Sequence, residues 1–258
     1  MKHRILLLAA VLLSLSAYGQ AERWAVVELS SIYMRLMPDY ESPLETQELM
    51  GTIVKVTGEK GYWREIESPQ PYTAWCTEKG IVEMSTEEIE AYKAAPKCIF
   101  TGLYGHIYKK PSASSETICD LVGGDVMRTG PHRRGWTQVI LPSGKTGWVR
   151  SKEIRAHSGF RSIAKGEGDA DSISEAEMEK IISTAMTLTG VPYLWGGMTP
   201  KGVDCSGLVR WSCLMNGILL PRNASQMVHC GDPVSLDSLQ RGDLVFFGTA
   251  AKDGMAQR

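Results

Sequence analysis

The sequence predicts a multidomain protein in which two small all-β barrels precede an α+β domain. Three observations carry this prediction. Short apolar runs separated by Gly and Pro turns fill residues 22–84, the same spacing of aromatic residues returns in residues 97–156, and helix-type apolar periodicity appears after residue 173. Strand patterning followed by helix patterning favours separate units along one chain.

The first 21 residues have the pattern of a secretory signal peptide. Lys2 and Arg4 precede an apolar run over residues 5–15, and small residues follow up to Ala21. The run is too short for a membrane span, and no cysteine lies where a lipid anchor would need one. We therefore expect export to the periplasm or the cell exterior, without a membrane span.

Composition and charge exclude several functional classes. With 28 Lys and Arg against 29 Asp and Glu, the net charge of −1 provides no field that would draw nucleic acid or anionic lipid. The six cysteines include no Cys-x-x-Cys pair, and no residues have metal-ligand spacing. We expect a monomer without metal or cofactor. A disulfide between Cys98 and Cys119 is conceivable in an oxidising compartment, although chance placement of both in strands is the simpler interpretation.

The two predicted barrels share an internal repeat. Trp63 and Trp75 are twelve residues apart, and Trp136 and Trp148 repeat that spacing. Strand-type runs in the first barrel are predicted at residues 24–29, 51–56, 62–66 and 73–76. We expect the tryptophans to belong to the barrel cores, with surface recognition as the alternative.

Two capping boxes, at residues 85–88 and 174–177, predict helices outside the barrels. The first helix is stopped by Pro96, so residues 85–96 are predicted to be a helical spacer. Residues 157–172 are polar and Gly-rich, which is typical of a linker. The second helix is expected to end at Gly190 and to carry the apolar stripe Met178, Ile181, Ile182, Ala185 and Leu188.

A Gly-rich turn leads from Gly190 to a second apolar-periodic segment that starts at Cys205. A thiol at a helix start meets the positive end of the helix dipole and unpaired backbone N–H groups, which favour the thiolate. The alternative is a small buried hydrophobic residue, as most free cysteines are. The helix is expected to stop at Asn216-Gly217 after burying Leu208, Trp211, Ser212 and Met215, and residues 243–247 are expected to form a central β-strand.

Four motifs in this region resemble, in order and spacing, the NlpC family of bacterial cell-wall cysteine peptidases. They are Val-Pro-Tyr-Leu-Trp-Gly-Gly from residue 191, Val-Asp-Cys-Ser-Gly-Leu from 203, Leu-Pro-Arg-Asn-Ala-Ser-Gln from 220 and Gln-Arg-Gly-Asp-Leu-Val-Phe-Phe from 240. Both barrels resemble bacterial SH3-like domains. The resemblance implies a reduced papain-like domain over residues 173–258. It also implies cleavage of peptidoglycan stem peptides, L-Ala-γ-D-Glu-diamino acid, at the bond that follows γ-D-Glu.

The resemblance also implies the site residues: the nucleophile Cys205 and the substrate-binding residues Tyr72, Tyr193, Trp195, Asp204, Ser206 and Asn223. Asn223 departs from family members that read a free N-terminal amine, which have an acidic residue there. Family members also often carry a glutamate where this chain has Met37. Domain-interface packing is the alternative for Tyr72, Tyr193 and Trp195.

A cysteine peptidase also needs a base, and a histidine suits because it titrates near neutral pH. In the family this histidine follows the strand matching residues 243–247, and the sequence ends at Arg258 before it. We therefore expect an incomplete catalytic module, with His229 a surface residue at a helix end. Two hypotheses remain: an exported cysteine endopeptidase, and a wall-binding protein that binds stem peptides without cutting them. A redox or metal protein has no spacing to support it.

Overall fold

Seven antiparallel strands form the first barrel of the protein, seen in a computed structural model that describes residues 22–163 and 173–248. They are β1 Arg23–Val27, β2 Ser31–Arg35, β3 Leu44–Leu49, β4 Ile53–Lys60, β5 Trp63–Ser68, β6 Tyr72–Thr77 and β7 Ile81–Met84. Their order in the sheet is β3-β2-β6-β5-β4-β1-β7. We call residues 23–84 barrel 1. The predicted signal peptide lies outside the described residues.

The second barrel repeats this topology. Its strands are β8 Lys97–Phe100, β9 Tyr104–Tyr108, β10 Thr117–Val122, β11 Val126–Arg133, β12 Trp136–Ile140, β13 Thr146–Arg150 and β14 Ile154–His157. The order β10-β9-β13-β12-β11-β8-β14 matches that of barrel 1 strand for strand. This confirms the internal repeat, and we call residues 97–157 barrel 2.

The tryptophans of the repeat are less buried than expected. Trp63 is in the core of barrel 1, but Trp75, Trp136 and Trp148 are only partly buried. The smaller apolar residues on alternate strand positions, such as Ile66 and Val149, fill the two cores instead. The prediction of four core tryptophans is therefore wrong for three of them.

The segments that join the units are more ordered than predicted. The spacer contains helix α1, Thr86–Ala94, whose capping box between Ser85 and Glu88 has both bonds in place. Within the predicted linker, strand β15, Arg161–Ser162, pairs in parallel with β18, Ile218–Leu219. Ile163, next to β15, is buried in a cluster with residues of the last domain. The polar, Gly-rich composition of residues 157–172 did not predict this contact.

The last domain places two main helices around a Gly-rich loop. Its elements are α2 Glu175–Met186, β16 Met198–Thr199, β17 Gly202–Val203, α3 Cys205–Met215, β18 and α4 Ala224–Met227. The capping box at Ser174 is confirmed, but α2 ends at Met186 and turns lead on to Gly190, which has φ +88°. Trp211 and Leu214 pack in one cluster with Leu49 of barrel 1 and Val126 of barrel 2. One hydrophobic core therefore joins all three units.

Residues 243–247 do not form the predicted strand. They have no regular secondary structure, and Val245 and Phe247 are 52% and 94% exposed. A strand requires a neighbour that pairs with its N–H and C=O groups, and no described strand lies beside this segment. No helix within residues 22–163 and 173–248 is long and apolar enough to cross a membrane.

Candidate active site

Cys205 is the first residue of α3, as its sequence position predicted. Its side chain is exposed. Asp204 caps the helix, because its Oδ1 accepts a hydrogen bond from the N–H of Gly207 at 2.7 Å. Gly207 has no room for a side chain, since an added Cβ would collide with the carbonyl oxygen of Gly197. The turn therefore fixes the Cys205 backbone while leaving its thiol open to solvent.

A buried ion pair between Arg222 and Asp204 stabilises this turn. Arg222, 1% exposed, donates from Nη2 to Asp204 Oδ2 at 2.6 Å and from Nη1 to Asp204 Oδ1 at 3.2 Å. The same guanidinium donates to Ser206 Oγ at 2.8 Å and to Thr46 Oγ1 at 2.6 Å. Asp204 Oδ2 also accepts from the N–H of Gly196 at 3.0 Å. Asp204 and Ser206 thus belong to a buried network beneath Cys205, and their direct contact with a peptide stays a prediction.

Barrel 1 contributes to that network through β3. Thr46, Gln47 and Glu48 are all buried there, although β3 carries the polar sequence LETQEL. Gln47 Oε1 accepts a hydrogen bond from the N–H of Met198 at 2.8 Å, and Glu48 pairs with Arg210 at 3.4 Å. Sequence reasoning missed this strand because its inward residues are polar and meet partners more than 150 positions away.

Tyr72 and Asn223 come together beside a carboxylate that sequence reasoning also missed. The Tyr72 hydroxyl donates to Glu45 Oε2 at 2.6 Å. Burial, followed by this bond and the charge of Glu45, raises the pKa of Tyr72 to about 12, against a smaller opposing effect of Asn223 and Arg222. An acidic group, Glu45 of β3, therefore lies beside Tyr72 although residue 223 is Asn. Met37, where the resemblance predicted a glutamate, is 56% exposed.

Tyr193 and Trp195 lie on the loop before β16, and each is 66% exposed. The loop itself is well fixed: Gly196, at φ +74°, packs so closely on Leu44 and Glu45 that an added Cβ would meet both residues within about 3 Å. Such exposure disagrees with the interface-packing alternative for these two aromatic residues. They remain predicted substrate-binding residues.

The described residues show no base beside Cys205. None of the four described histidines hydrogen-bonds to Cys205: His132 contacts Ser151, His106 and His157 pack against aromatic rings, and His229 is exposed just after α4. Within residues 22–163 and 173–248, no three His, Cys, Asp or Glu side chains are grouped as metal ligands. All six cysteines are unpaired, so the conceivable Cys98–Cys119 disulfide is not formed.

Comparison with known proteins agrees with the fold. The chain is 26% identical over 247 residues to a gamma-D-glutamyl-L-lysine dipeptidyl-peptidase of Bacillus cereus, which covers 90% of this chain and 68% of the relative. It is 25% identical over 218 residues to dipeptidyl-peptidase 6 of Lysinibacillus sphaericus, covering 81% and 76%. A crystal structure of an NlpC/P60 family protein from Bacillus cereus superimposes with a TM-score of 0.72 at 22% identity, covering 91% of this chain and 86% of that one.

The solved structure shares the fold of this chain, and both relatives are named as dipeptidyl-peptidases. Residues 190–256, which contain Cys205 and its supporting loop, match the NlpC/P60 family directly.

Proposed function

We propose that this protein is an exported endopeptidase that cleaves peptidoglycan stem peptides between γ-D-Glu and the L-diamino acid, with Cys205 as nucleophile. The observation that carries the proposal is the exposed thiol at the first turn of α3, fixed by the Asp204–Arg222 pair. The similarity to a gamma-D-glutamyl-L-lysine dipeptidyl-peptidase supports the choice of bond.

The proposed reaction has two steps. The Cys205 thiolate attacks the γ-carbonyl carbon of D-Glu, and the amine of the diamino acid leaves after it gains a proton. The thioester is then hydrolysed by water, which restores the thiol. Backbone N–H groups and the dipole at the start of α3 stabilise the developing oxyanion. A base that moves the proton is required, and none of the described histidines serves.

We propose that the Glu45 carboxylate binds the free amine of the N-terminal L-Ala of the substrate. Asn223 lacks the negative charge that would strengthen a hydrogen bond from an ammonium group. Glu45 provides that charge next to Tyr72, and Gly196 packs against its backbone while donating to Asp204. A carboxylate anchored in this way would place the amine end of the peptide near the loop that carries Tyr193 and Trp195.

The second candidate is binding of stem peptides without cleavage. The observation that favours it is that no described histidine contacts Cys205. Both functions use the same surface, so they differ in the fate of the peptide and not in its binding.

Incubation with L-Ala-γ-D-Glu-diaminopimelate separates the two candidates. Release of L-Ala-D-Glu by the parent chain, followed by mass spectrometry and absent with Cys205→Ser, would favour the endopeptidase. Calorimetric binding of the same peptide to both chains without release would favour the binding function. Release by the variant would exclude Cys205 as nucleophile.

A further inference from the structure

Barrels 1 and 2 share one topology but carry opposite charge. Barrel 2 has ten Lys and Arg against four Asp and Glu, whereas barrel 1 has six against ten. The net charge of the whole chain does not show this difference. A local positive excess of this kind attracts acidic partners to barrel 2.

The excess includes a row of three side chains centred on Trp136. Trp136 pairs directly with Arg133 on β11 and with Arg150 on β13, and directly paired residues of antiparallel strands lie on the same face of the sheet. The Arg150 guanidinium lies over the Trp136 ring at 5.2 Å. Two arginines therefore flank one aromatic side chain, on strands about 10 Å apart.

The matching position of barrel 1 is covered. Trp63 pairs with Lys60 and Thr77 in the same register. The rings of Tyr40 and Tyr62 lie 5.0 and 5.6 Å from the Trp63 ring, and Trp63 is only 5% exposed. Barrel 1 thus uses two tyrosines to shield its tryptophan from solvent.

Barrel 2 lacks the first of these two rings. Loops 36–43 and 109–116 correspond, because in each of them the N–H of the second residue donates to the Oγ of the serine five positions later, at 2.9 Å in barrel 1 and 3.0 Å in barrel 2. Ala113 stands in this loop where barrel 1 has Tyr40. A methyl group on an exposed loop cannot cover an indole ring.

The second ring is missing as well. The residue before the tryptophan is Tyr62 in barrel 1 and Gly135 in barrel 2. The other residue of the turn changes from Gly61 to Arg134, so a cation is added where the ring is lost. Trp136 is accordingly left partly exposed.

Cations surround the uncovered tryptophan. Tyr108, whose ring meets the Trp136 ring edge-on at 5.5 Å, leads directly into the two lysines of the loop. We call Trp136 and the five cations around it the Trp136 face; these cations are Lys109, Lys110, Arg133, Arg134 and Arg150. The same five positions of barrel 1 hold Leu36, Met37, Lys60, Gly61 and Thr77. Only one of the five is charged in barrel 1.

Most of this charge is not neutralised within the protein. Lys109 pairs with Glu116 at 3.0 Å, and Arg150 lies 4.0 Å from Glu153. The other three cations of the Trp136 face have no ion-pair partner among residues 22–163 and 173–248. An acidic partner can therefore approach without displacing a carboxylate of the chain.

An aromatic ring among cations suits a partner that combines flat apolar surfaces with negative charge. The C–H face of a sugar ring packs on tryptophan, and arginine binds a carboxylate through two parallel hydrogen bonds. The cations lie on two strands, a turn and a loop, which favours a chain of sugars over a single one. Because the sequence predicts export, an acidic polysaccharide is a better match than nucleic acid.

We propose that the Trp136 face binds an acidic polysaccharide, with one sugar ring packed on Trp136 and carboxylates of the chain bound by Arg133 and Arg150. Barrel 2 then holds the protein on an acidic polymer, while barrel 1 supports the Cys205 turn. The inference stands on the comparison of the two barrels and does not depend on the proposed peptidase function.

Isothermal titration of the full chain at low ionic strength with hexagalacturonate tests the proposal. Its methyl ester keeps the rings without the charge, hexaglutamate keeps the charge without the rings, and a thymidine hexanucleotide presents phosphates and bases. We expect hexagalacturonate to bind at least about tenfold more tightly than each of the three. No binding of hexagalacturonate, or equal binding of any of the three, would overturn the proposal; tighter binding of the oligonucleotide would identify a nucleic-acid surface instead.

A pair of double variants tests the role of the arginines. Arg133→Gln with Arg150→Gln removes both cations that flank Trp136 and should weaken binding of hexagalacturonate at least about tenfold. Lys60→Gln with Lys79→Gln removes two exposed cations of barrel 1 and is the matched control for net charge. It should bind as the parent does, and an equal loss in both double variants would contradict the assignment.

A third variant tests the uncovered ring without removing any charge. Ala113→Tyr restores the residue that covers the tryptophan in barrel 1, and Ala113 is exposed, so the fold is kept. Binding should weaken about tenfold, whereas Ala113→Ser, which adds no ring, should leave it unchanged. Unchanged binding in Ala113→Tyr would show that Trp136 does not contact the polysaccharide and would overturn the proposal.

Discussion

Replacing Thr46 with valine tests whether barrel 1 holds the Cys205 turn. Thr46 Oγ1 accepts a 2.6 Å bond from Arg222 Nε, and Arg222 carries the buried pair with Asp204. Valine keeps the branched shape and removes the oxygen, which leaves a charged donor buried without a partner. That loss costs about 1–3 kcal/mol, so the free energy of unfolding should fall by this amount.

Urea unfolding of the full chain measures the change, with Thr46→Ser as the matched variant that keeps the oxygen. Alkylation of Cys205 by iodoacetamide, read by mass spectrometry against the half-buried Cys230, should also slow in Thr46→Val because the helix cap loosens. An unfolding free energy within about 0.5 kcal/mol of the parent, the usual range for a neutral surface change, would show that the bond from Thr46 does not support Arg222.

Three further predictions concern the same region. The folded pKa of Tyr72, about 12, lies above the ordinary 10.0. Tyr72 therefore contributes stability that is complete below pH 10 and is lost as pH rises through 12. The unfolding free energies of parent and Tyr72→Phe in urea should converge over that range, and a constant difference would contradict this. Glu45→Gln should raise KM for L-Ala-γ-D-Glu-diaminopimelate about tenfold and leave the N-acetylated peptide unaffected; an equal effect on both would exclude amine recognition. Gly207→Ala should destabilise the chain by about 1–3 kcal/mol through collision with Gly197, whereas Gly231→Ala, which has open space, should not; thermal unfolding that is equal in the two variants would contradict this.

Local patterns in the sequence were sufficient for most of the fold. The capping boxes at Ser85 and Ser174 and the helix that starts at Cys205 depend on neighbours three or four residues away, and the structure has all three. The repeat was visible because matching tryptophan spacing reflects matching strand order. Features of this kind are encoded within one element.

Contacts between distant segments could not be predicted in the same way. β3 looks too polar for a buried strand, and it is buried only because Arg222, Arg210 and Met198 supply partners for its side chains. Glu45 gains its place beside Tyr72 only when barrel 1 closes. Residues 243–247 have the composition of a strand, yet no strand forms there, because pairing depends on a neighbour and not on composition.

The most direct test of Cys205 chemistry is to capture its acyl group. If Cys205 forms a thioester with the γ-carbonyl of D-Glu, hydroxylamine added during turnover of L-Ala-γ-D-Glu-diaminopimelate will compete with water for that carbonyl. Part of the released L-Ala-D-Glu should then appear by mass spectrometry as the hydroxamate, and neither product should form with Cys205→Ser. Release of the free acid alone at high hydroxylamine, or release of either product by the variant, would contradict nucleophilic catalysis by Cys205.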